Sequence, residues 1–322
     1  MGLEKLSSRA CIGMFYEALA QNAGVAWVNE IATEPFPSDQ ASEEYPWLGM
    51  VPVMREWVGG LNEKQLRALS ITIFNKEYEA TLGILIKDLR RDKTGQIKLR
   101  LQELADRTNS HWASLLSTLV LNAEALVCYD GDYFFGTAHA EGGSGTQSNL
   151  LSIDISELAT GGAGTHGSTT VPSVGEMSLC IQQAIQQIMG FKDDQGEPFN
   201  EDARKFRIMA GTNLMGPING ALGNQFLPSG MENTLVRVNG RDFEVTASYN
   251  PRLTTLTTKF DVYRTDGRTK AFIRQEEVAP ELHVIAEGSE QETKEKRHTY
   301  SVYASRNVGL GRWQHACRVS MI

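Results

Sequence analysis

The sequence has no long apolar run, no close pair of cysteines and, over two wide stretches, no positive charge. The first absence excludes a membrane-spanning helix, which needs about 18 or more consecutive apolar residues. The opening MGLEKLSSRACIGMFYEALAQNAG is weakly amphipathic and lacks the apolar block and cleavage site of a secretory signal. Ser7 lies one place beyond the hydroxyl position of a myristoylation signal. Cys11, Cys128, Cys180 and Cys317 are far apart and form no CxxC, the pattern of buried thiols in a cytosolic protein. A disulfide framework and a zinc site are excluded on the same ground. No Lys or Arg occurs between Arg9 and Arg55, where Glu17, Glu30, Glu34, Asp39, Glu43 and Glu44 lie, or between Arg107 and Lys192. Phosphate recognition normally recruits Lys or Arg, so these stretches are poor ground for a nucleotide or nucleic-acid site. The chemical motifs are missing too: there is no GxxxxGK[ST], no GxGxxG after a strand, no HExxH and no EF-hand loop.

What is present describes an ordinary globular chain. Its 322 residues are 41% hydrophobic and 22% charged with a net charge of −8, enough for a sizeable core and about two domains. Residues 1 to about 45 read as an arm: a short helical pattern, then TEPFPSDQASEEYP, a composition that rarely builds a packed core. From Trp47 to Ile86, VPVMREWV, LRALSITIF and YEATLGILI are β-branched and aromatic runs around the turn Gly59 to Lys64, which predicts a long β-hairpin or protruding loop. From Gln96 to Val127, Ile97, Leu101, Leu104, Ala105, Trp112, Leu115, Leu116, Leu119, Ala123 and Leu126 recur at spacings of three and four. That stripe predicts one helix of about 45 Å with Thr94 as its N-cap. Polar Thr108-Asn109-Ser110-His111 interrupts it and argues against a coiled coil.

Further on, the low-complexity GGAGTHGSTT marks a domain boundary, and Ser173 and Glu176 form a capping box before the stripe Met177, Cys180, Ile181, Ala184, Ile185 and Ile188. Gly190 is the expected helix end. FRIMA predicts a strand, and two hairpins are expected, over Asn239-Gly240 and over Asp266-Gly267. The C-terminal region reads as a charged tip between β runs and a final strand pair. The class is α+β.

The segment YDGDYFFGTAHAEGGSGTQSN, Tyr129 to Asn149, has the look of an active site. His139 with Glu141 could belong to a metal or acid–base pair, and His139 with Ser144 or a distant carboxylate could serve a hydrolase. Gly143-Ser144-Gly145 is nonetheless out of register for a nucleophile elbow, since Thr146 stands where the second Gly should be. A lone histidine without convergent partners is usually structural. Tyr133, Phe134 and Phe135 have no basic neighbours and read as core rather than as a base-stacking platform. Lys87, Arg90, Arg91, Lys93, Lys98 and Arg100 form a basic segment, interleaved with Asp88 and Asp92 as a solvated or intersubunit face would be. No catalytic, cofactor-binding or metal-ligating residue is assigned.

Four motifs taken in order carry a resemblance over nearly the whole chain: YPWLGMVPVMREWVGG with SITIFNKEYEATLGILIKDLRRDKTG, the long helix, YDGDYFFGTAHAEGGSGTQSNLL, and YSVYASRNVGLGRWQHACRV. The sequence resembles the major head (capsid) subunits of Mu-like tailed phages, which have the HK97-type capsid fold. The resemblance implies an N-terminal arm at residues 1–45 and an extended loop at 46–93. It implies a peripheral domain with the spine helix at 94–172, an axial domain at 173–280, and a return to the peripheral domain at 281–322. It implies a non-enzymatic protein without cofactors that assembles with itself into hexamers and pentamers of an icosahedral head. The head would enclose double-stranded DNA without sequence-specific binding, with scaffolding protein, portal and a decoration protein as further partners and no membrane. Assembly would take place in the host cytoplasm, and the protein would end in the virion. An acidic or neutral lining lets packaged DNA slide, which suits the charge map. Two rival readings remain: an HK97-fold nanocompartment shell, and a hydrolase using His139. The arm acids Glu30, Glu34, Asp39, Glu43 and Glu44 are expected to lack internal partners and to meet the basic segment across a subunit boundary.

Overall fold

The computed structural model describes residues 8–22, 24–46, 70–91, 95–158, 166–227 and 230–322, with backbone only at 90 and 91. The loop tip Gly59 to Lys64, Trp47, Trp57, Thr94 and Lys93 lie outside them. In chain order the elements are α1 (Ser8–Gln21), α2 (Ala26–Ile31), β1 (Phe36–Pro37), β2 (Ser42–Tyr45), β3 (Ile71–Phe74), β4 (Glu77–Leu85), α3 (Ile86–Arg91) and α4 (Gln96–Asn122). There follow β5 (Leu150–Ile153), α5 (Val174–Gly190), β6 (Lys205–Ala210), α6 (Met215–Gly223), α7 (Thr234–Val238) and β7 (Glu244–Tyr249). The chain closes with β8 (Lys259–Arg264), β9 (Phe272–Ile285), α8 (Glu290–Glu295), β10 (Arg297–Leu310) and β11 (Ala316–Met321).

The described part of residues 1–45 is packed. Cys11, Phe15 and Ala18 form a stripe on α1, and Phe15 and Ala18 pack with Ala105 of α4 and Val302 of β10. On α2, Trp27, Val28 and Ile31 enter the main core. Averaged composition hid these two short apolar stripes behind the acidic, proline-rich stretch that follows. The polar interruption of α4 explains itself here. Asn109 Nδ2 donates to the carbonyls of Leu19 (2.9 Å) and Asn22 (2.8 Å), closing the C-terminal end of α1 that would otherwise leave orphan acceptors.

Two sheets carry the rest. In the first, β1-β9-β10-β4, the 14-residue strands β9 and β10 form a long antiparallel hairpin and β4 pairs antiparallel with β10. Side chains alternate across it, and Leu82, Ile84, Leu282, Tyr300 and Val302 face α1 and the first half of α4. The second sheet, β5-β11-β8-β6-β7, mixes parallel and antiparallel pairs and packs on α5. The capping box forms as the sequence predicts, with Ser173 Oγ accepting from the Glu176 N–H (3.3 Å) and the Glu176 carboxylate accepting from the Ser173 N–H (2.7 Å). The whole expected stripe of α5 is buried, and the helix ends at Gly190. β2 and β3 form a two-stranded antiparallel ribbon with Tyr45 opposite Ile71, so residues 45 and 71 stand side by side.

Several expectations are corrected. The spine helix α4 has 27 residues, about 40 Å, and stops at Asn122 rather than near Val127. Its last turn tightens, with the Ala123 N–H reaching the Val120 carbonyl (3.3 Å), and Glu124 turns inward to Lys259 and Arg318. Asn239-Gly240 turns the chain as its type demands, Gly240 at φ 81°, but it links helix α7 to β7, which pairs parallel with β6. Asp266-Gly267 does not close a hairpin either. The Asp266 carboxylate accepts from the N–H groups of Arg204 (2.7 Å) and Lys205 (3.2 Å), locking the end of β8 to β6, while β9 pairs with β10. The expected final strand pair separates, β10 into the first sheet and β11 into the second. In the second sheet β11 lies between β5 and β8, and β9 of the first sheet runs through residue 280.

Candidate functional site

His139 is fully buried, 0% exposed, at the centre of the glycine-rich loop. Its backbone exchanges both hydrogen bonds with Gln147 (3.0 and 2.8 Å), so the segment folds back on itself. Gly142 and Gly145 supply the required left-handed turns at φ 56° and 71°. At Gly142 a Cβ would stand 2.7 Å from the Asp194 carbonyl oxygen. The imidazole stacks on Trp313 with centroids 4.0 Å apart and planes within 11°. Nδ1 lies 2.6 Å from Asp130 Oδ2 and Nε2 3.3 Å from Asn149 Oδ1. Asn149 Nδ2 donates to the Phe134 carbonyl at 2.7 Å.

The two rival partners of His139 are engaged elsewhere. Ser144 Oγ donates to the Gly145 carbonyl (2.9 Å) and accepts from the Glu141 N–H (2.9 Å). The Glu141 carboxylate, 4% exposed, accepts from Gln314 Nε2 (3.2 Å), and burial pushes its pKa up. What the structure brings together is Tyr129, Asp130, His139, Glu141, Asn149, Trp313 and Gln314. This is a polar knot tying the loop after α4 to the turn before β11. Apart from the Trp313 Nε1–H, which is buried without a partner among the described residues, its hydrogen-bonding groups are engaged in a site closed to water, and no substrate could reach the imidazole without opening it.

A second buried polar centre gave no sequence signal. Arg318 on β11 and Asp261 on β8 are both 0% exposed and form a bidentate pair, Nε to Oδ1 2.6 Å and Nη2 to Oδ2 2.8 Å. Arg318 Nη1 also reaches Glu124 (3.0 Å), Nη2 donates to the Val120 carbonyl (3.0 Å), and the guanidinium lies over the Phe135 ring at 4.2 Å. Lys259 Nζ completes the group by donating to both Glu124 oxygens at 2.8 Å. Burial alone would lower the Arg318 pKa, but Asp261 outweighs it and holds the guanidinium charged. The spine helix is anchored in its middle by a related device, Trp112 lying between Arg274 (5.5 Å) and Arg306 (4.8 Å).

His315, 2% exposed, donates or accepts at 2.9 Å with Thr269 Oγ1. Burial first, then the charges of Arg264, Arg312 and Lys270, push its pKa down to about 3. The unfolded chain protonates this histidine near its ordinary value of about 6.5, whereas the folded chain does not. Stability from this group is therefore complete above pH ~6.5 and falls with pH below it, by about 2–3 kcal/mol between pH 6.5 and 4.5. Urea denaturation midpoints across that range should drop for the wild type and drop less for His315→Leu. Equal slopes would overturn this assignment.

On the surface, Phe74 (64% exposed), Val127 (58%) and Leu126 (38%) rim an apolar groove with Ile71, Leu119 and Leu310. Phe226 (64%) and Met231 (52%) project from the turn before α7. Lys87 and Lys98 are exposed, and Arg100 pairs with Glu103 at 2.9 Å. The expectation that the arm acids lack internal partners fails for Glu30, which forms a bidentate ion pair with Arg207 of β6. Among the described residues no group of three or more His, Cys, Asp or Glu is placed to hold a metal ion. Among them, too, no helix is long and apolar enough to cross a membrane.

A spine helix, a long β-hairpin sheet, a second mixed sheet with its helices and the β2–β3 ribbon together make the HK97-type α+β fold seen in phage capsid subunits. The chain superposes on a subunit of the bacteriophage JBD30 procapsid with a TM-score of 0.55 at 21% identity, covering 97% of this chain and 73% of that one. The family model described as Mu-like prophage major head subunit gpT matches residues 7–158. The resemblance to Mu-like head subunits is thus shown over that region. The FluMu major head subunit of Haemophilus influenzae is 30% identical over 133 residues, 41% of this chain and 43% of that protein. The major capsid protein of Escherichia phage Mu is 33% identical over 102 residues, 32% of this chain and 33% of that protein. The alignments therefore span less than half the length of either curated relative.

Proposed function

We propose that the chain is the major capsid subunit of a Mu-like phage or prophage head, self-assembling into hexamers and pentamers of an icosahedral shell around double-stranded DNA. The observation that carries this reading is the capsid-subunit fold over almost the whole chain together with the Mu-like head match over residues 7–158. The domain scheme set out from the sequence is part of the proposal, with the segment 46–93 as an extended loop reaching a neighbouring subunit. The return of the chain at Tyr45 and Ile71 supports a loop with its base there. So does an exposed apolar groove beside that base, a type of surface that marks interaction sites. We take the protein to be a non-enzyme of the virion, assembled in the host cytoplasm with scaffolding protein, portal and a decoration protein. The closed knot at His139 supports the first part of that reading.

Negative-stain microscopy of the purified protein, or of cells expressing it, tests the proposal. Closed or partly closed shells are the expected result. A monodisperse monomer at every salt and protein concentration would overturn it. Shells that hold an enzyme cargo in place of DNA would move the reading to a nanocompartment.

A further inference from the structure

Many charged groups of this chain are paired within it, as with Arg318 and Asp261, Lys259 and Glu124, Arg207 and Glu30, or Lys205 and Glu244 (2.8 Å). Among the described residues two exposed clusters have no Lys or Arg paired with a carboxylate inside them, and they stand at opposite ends of one strand. The inward face of the first sheet is fixed by Leu82, Ile84, Tyr300 and Val302, so the register leaves Glu79, Tyr303 and Glu281 in a row across the outward face. In the next row Glu77 lies opposite Ser305, whose Oγ donates to Glu277 (2.6 Å). All four glutamates are exposed, and the nearest cations are weak counterparts: His283 is 3.8 Å from Glu281, and Lys76 closes no ion pair among the described residues. Partial desolvation, then the charges of Glu77, Glu277 and Glu281, raise the pKa of the Tyr303 phenol.

The other end of β4 is basic. Glu77 and Leu85 are about 26 Å apart along an extended strand. After Leu85 come Lys87, Arg90 and Arg91 on α3 with Asp88 among them, then Lys98 and Arg100 on α4, so that end carries a net positive charge. Lys87 and Lys98 have no carboxylate within ion-pair distance among the described residues. The tip of the β9–β10 hairpin at this end also carries acids, but these are used locally. Glu290 pairs with Lys294, Glu295 with Arg297 (2.7 Å), Glu292 with His298 (3.4 Å), and Glu287 accepts from the Ser8 N–H (3.1 Å).

We propose that these two ends are the complementary halves of a head-to-tail contact between copies of the chain, the glutamate rows of one subunit docking on the Lys87/Lys98 end of the next. The inference rests on the capsid-subunit reading and gives one of its interfaces a chemistry. A two-fold contact that paired like ends would set like charges together. A head-to-tail contact sets opposite charges together, and it closes into a ring when the rotation between copies allows. It also reassigns the partner of the basic segment from the arm, where Glu30 is already held, to the sheet.

The test uses two variants of the full chain, an acid-end variant (Glu77→Lys, Glu79→Lys, Glu281→Lys) and a basic-end variant (Lys87→Glu, Lys98→Glu). All five side chains are exposed, and circular dichroism and melting should match the wild type. At about 0.1 M salt, where screening is still modest, each variant alone is expected to lose particle yield by about tenfold or more in sedimentation. An equal mixture of the two should recover most of that yield, because every contact in an alternating six-membered ring, and four of the five in a five-membered ring, again join opposite signs. Folded variants that assemble alone at wild-type yield overturn the contact, and so does a folded mixture that is not rescued. If the wild type forms no particles either, it is the capsid reading that fails.

Discussion

Replacing Arg318 by methionine is expected to destabilise the folded subunit by about 3–5 kcal/mol, the cost of leaving a buried charge without its partner. Asp261, 0% exposed, would keep only the Tyr263 hydroxyl (2.9 Å) as a donor among its side-chain contacts, and Glu124 would keep Lys259 alone. The Val120 carbonyl at the end of the spine helix would lose the Arg318 donor and keep the Ala123 N–H. Lysine is a poor substitute, since one ammonium cannot reproduce the two parallel bonds to Asp261. The double variant Arg318→Met with Asp261→Asn removes both charges and should recover a good part of the loss, because the cost lies in the orphaned carboxylate rather than in the missing attraction. Denaturant unfolding of the subunit measures all three. If Arg318→Met alone costs less than about 1 kcal/mol, the pair is not the anchor described here.

That pair also shows where sequence reading stops. The capping box at Ser173 and the α5 stripe are local, within three or four residues, and both are found where the sequence puts them. The spine helix is legible for the same reason, with its end displaced by five residues because Glu124 is drawn inward by groups 135 and 194 residues away in the chain. Arg318 and Asp261 are 57 residues apart, inside runs that read simply as strands, and no spacing rule connects them. The chain turns at Asn239-Gly240 and bends at Asp266-Gly267, yet neither closes the expected hairpin, because a turn specifies a change of direction and not which strands then pair. Those pairings follow from burial of Phe260, Val262, Phe206 and Ile208 against α5, a decision made by the whole core. The partners that close off His139 were not legible in the sequence. Asn149 stands just before β5 and Trp313 shortly before β11, 164 residues apart in the chain, and only the parallel pairing of those strands brings their groups onto the imidazole.

Replacing His139 by alanine is expected to act on folding and on nothing else. The Asp130 carboxylate, 1% exposed, would lose its 2.6 Å partner, and the face of Trp313 would border a cavity where the imidazole stacked. An unpaired buried acid and a cavity of ring size together should cost about 3–5 kcal/mol. His139→Gln, which keeps a donor near Asp130 but loses the stack, should fall between wild type and alanine. Ser144→Ala removes only the local bonds to Gly145 and Glu141 and should cost about 1 kcal/mol or less while leaving assembly intact. A nucleophile–base pair would give the opposite ranking, because Ser144→Ala would then be as damaging to function as His139→Ala. Urea unfolding and particle yield at permissive temperature separate the two cases. Shells of normal yield from His139→Ala with an unchanged unfolding midpoint, together with loss of any chemical step in head formation, would make the knot a reaction centre. The stack on Trp313, the bonds to Asp130 and Asn149 and the complete burial of the imidazole all argue for the first ranking.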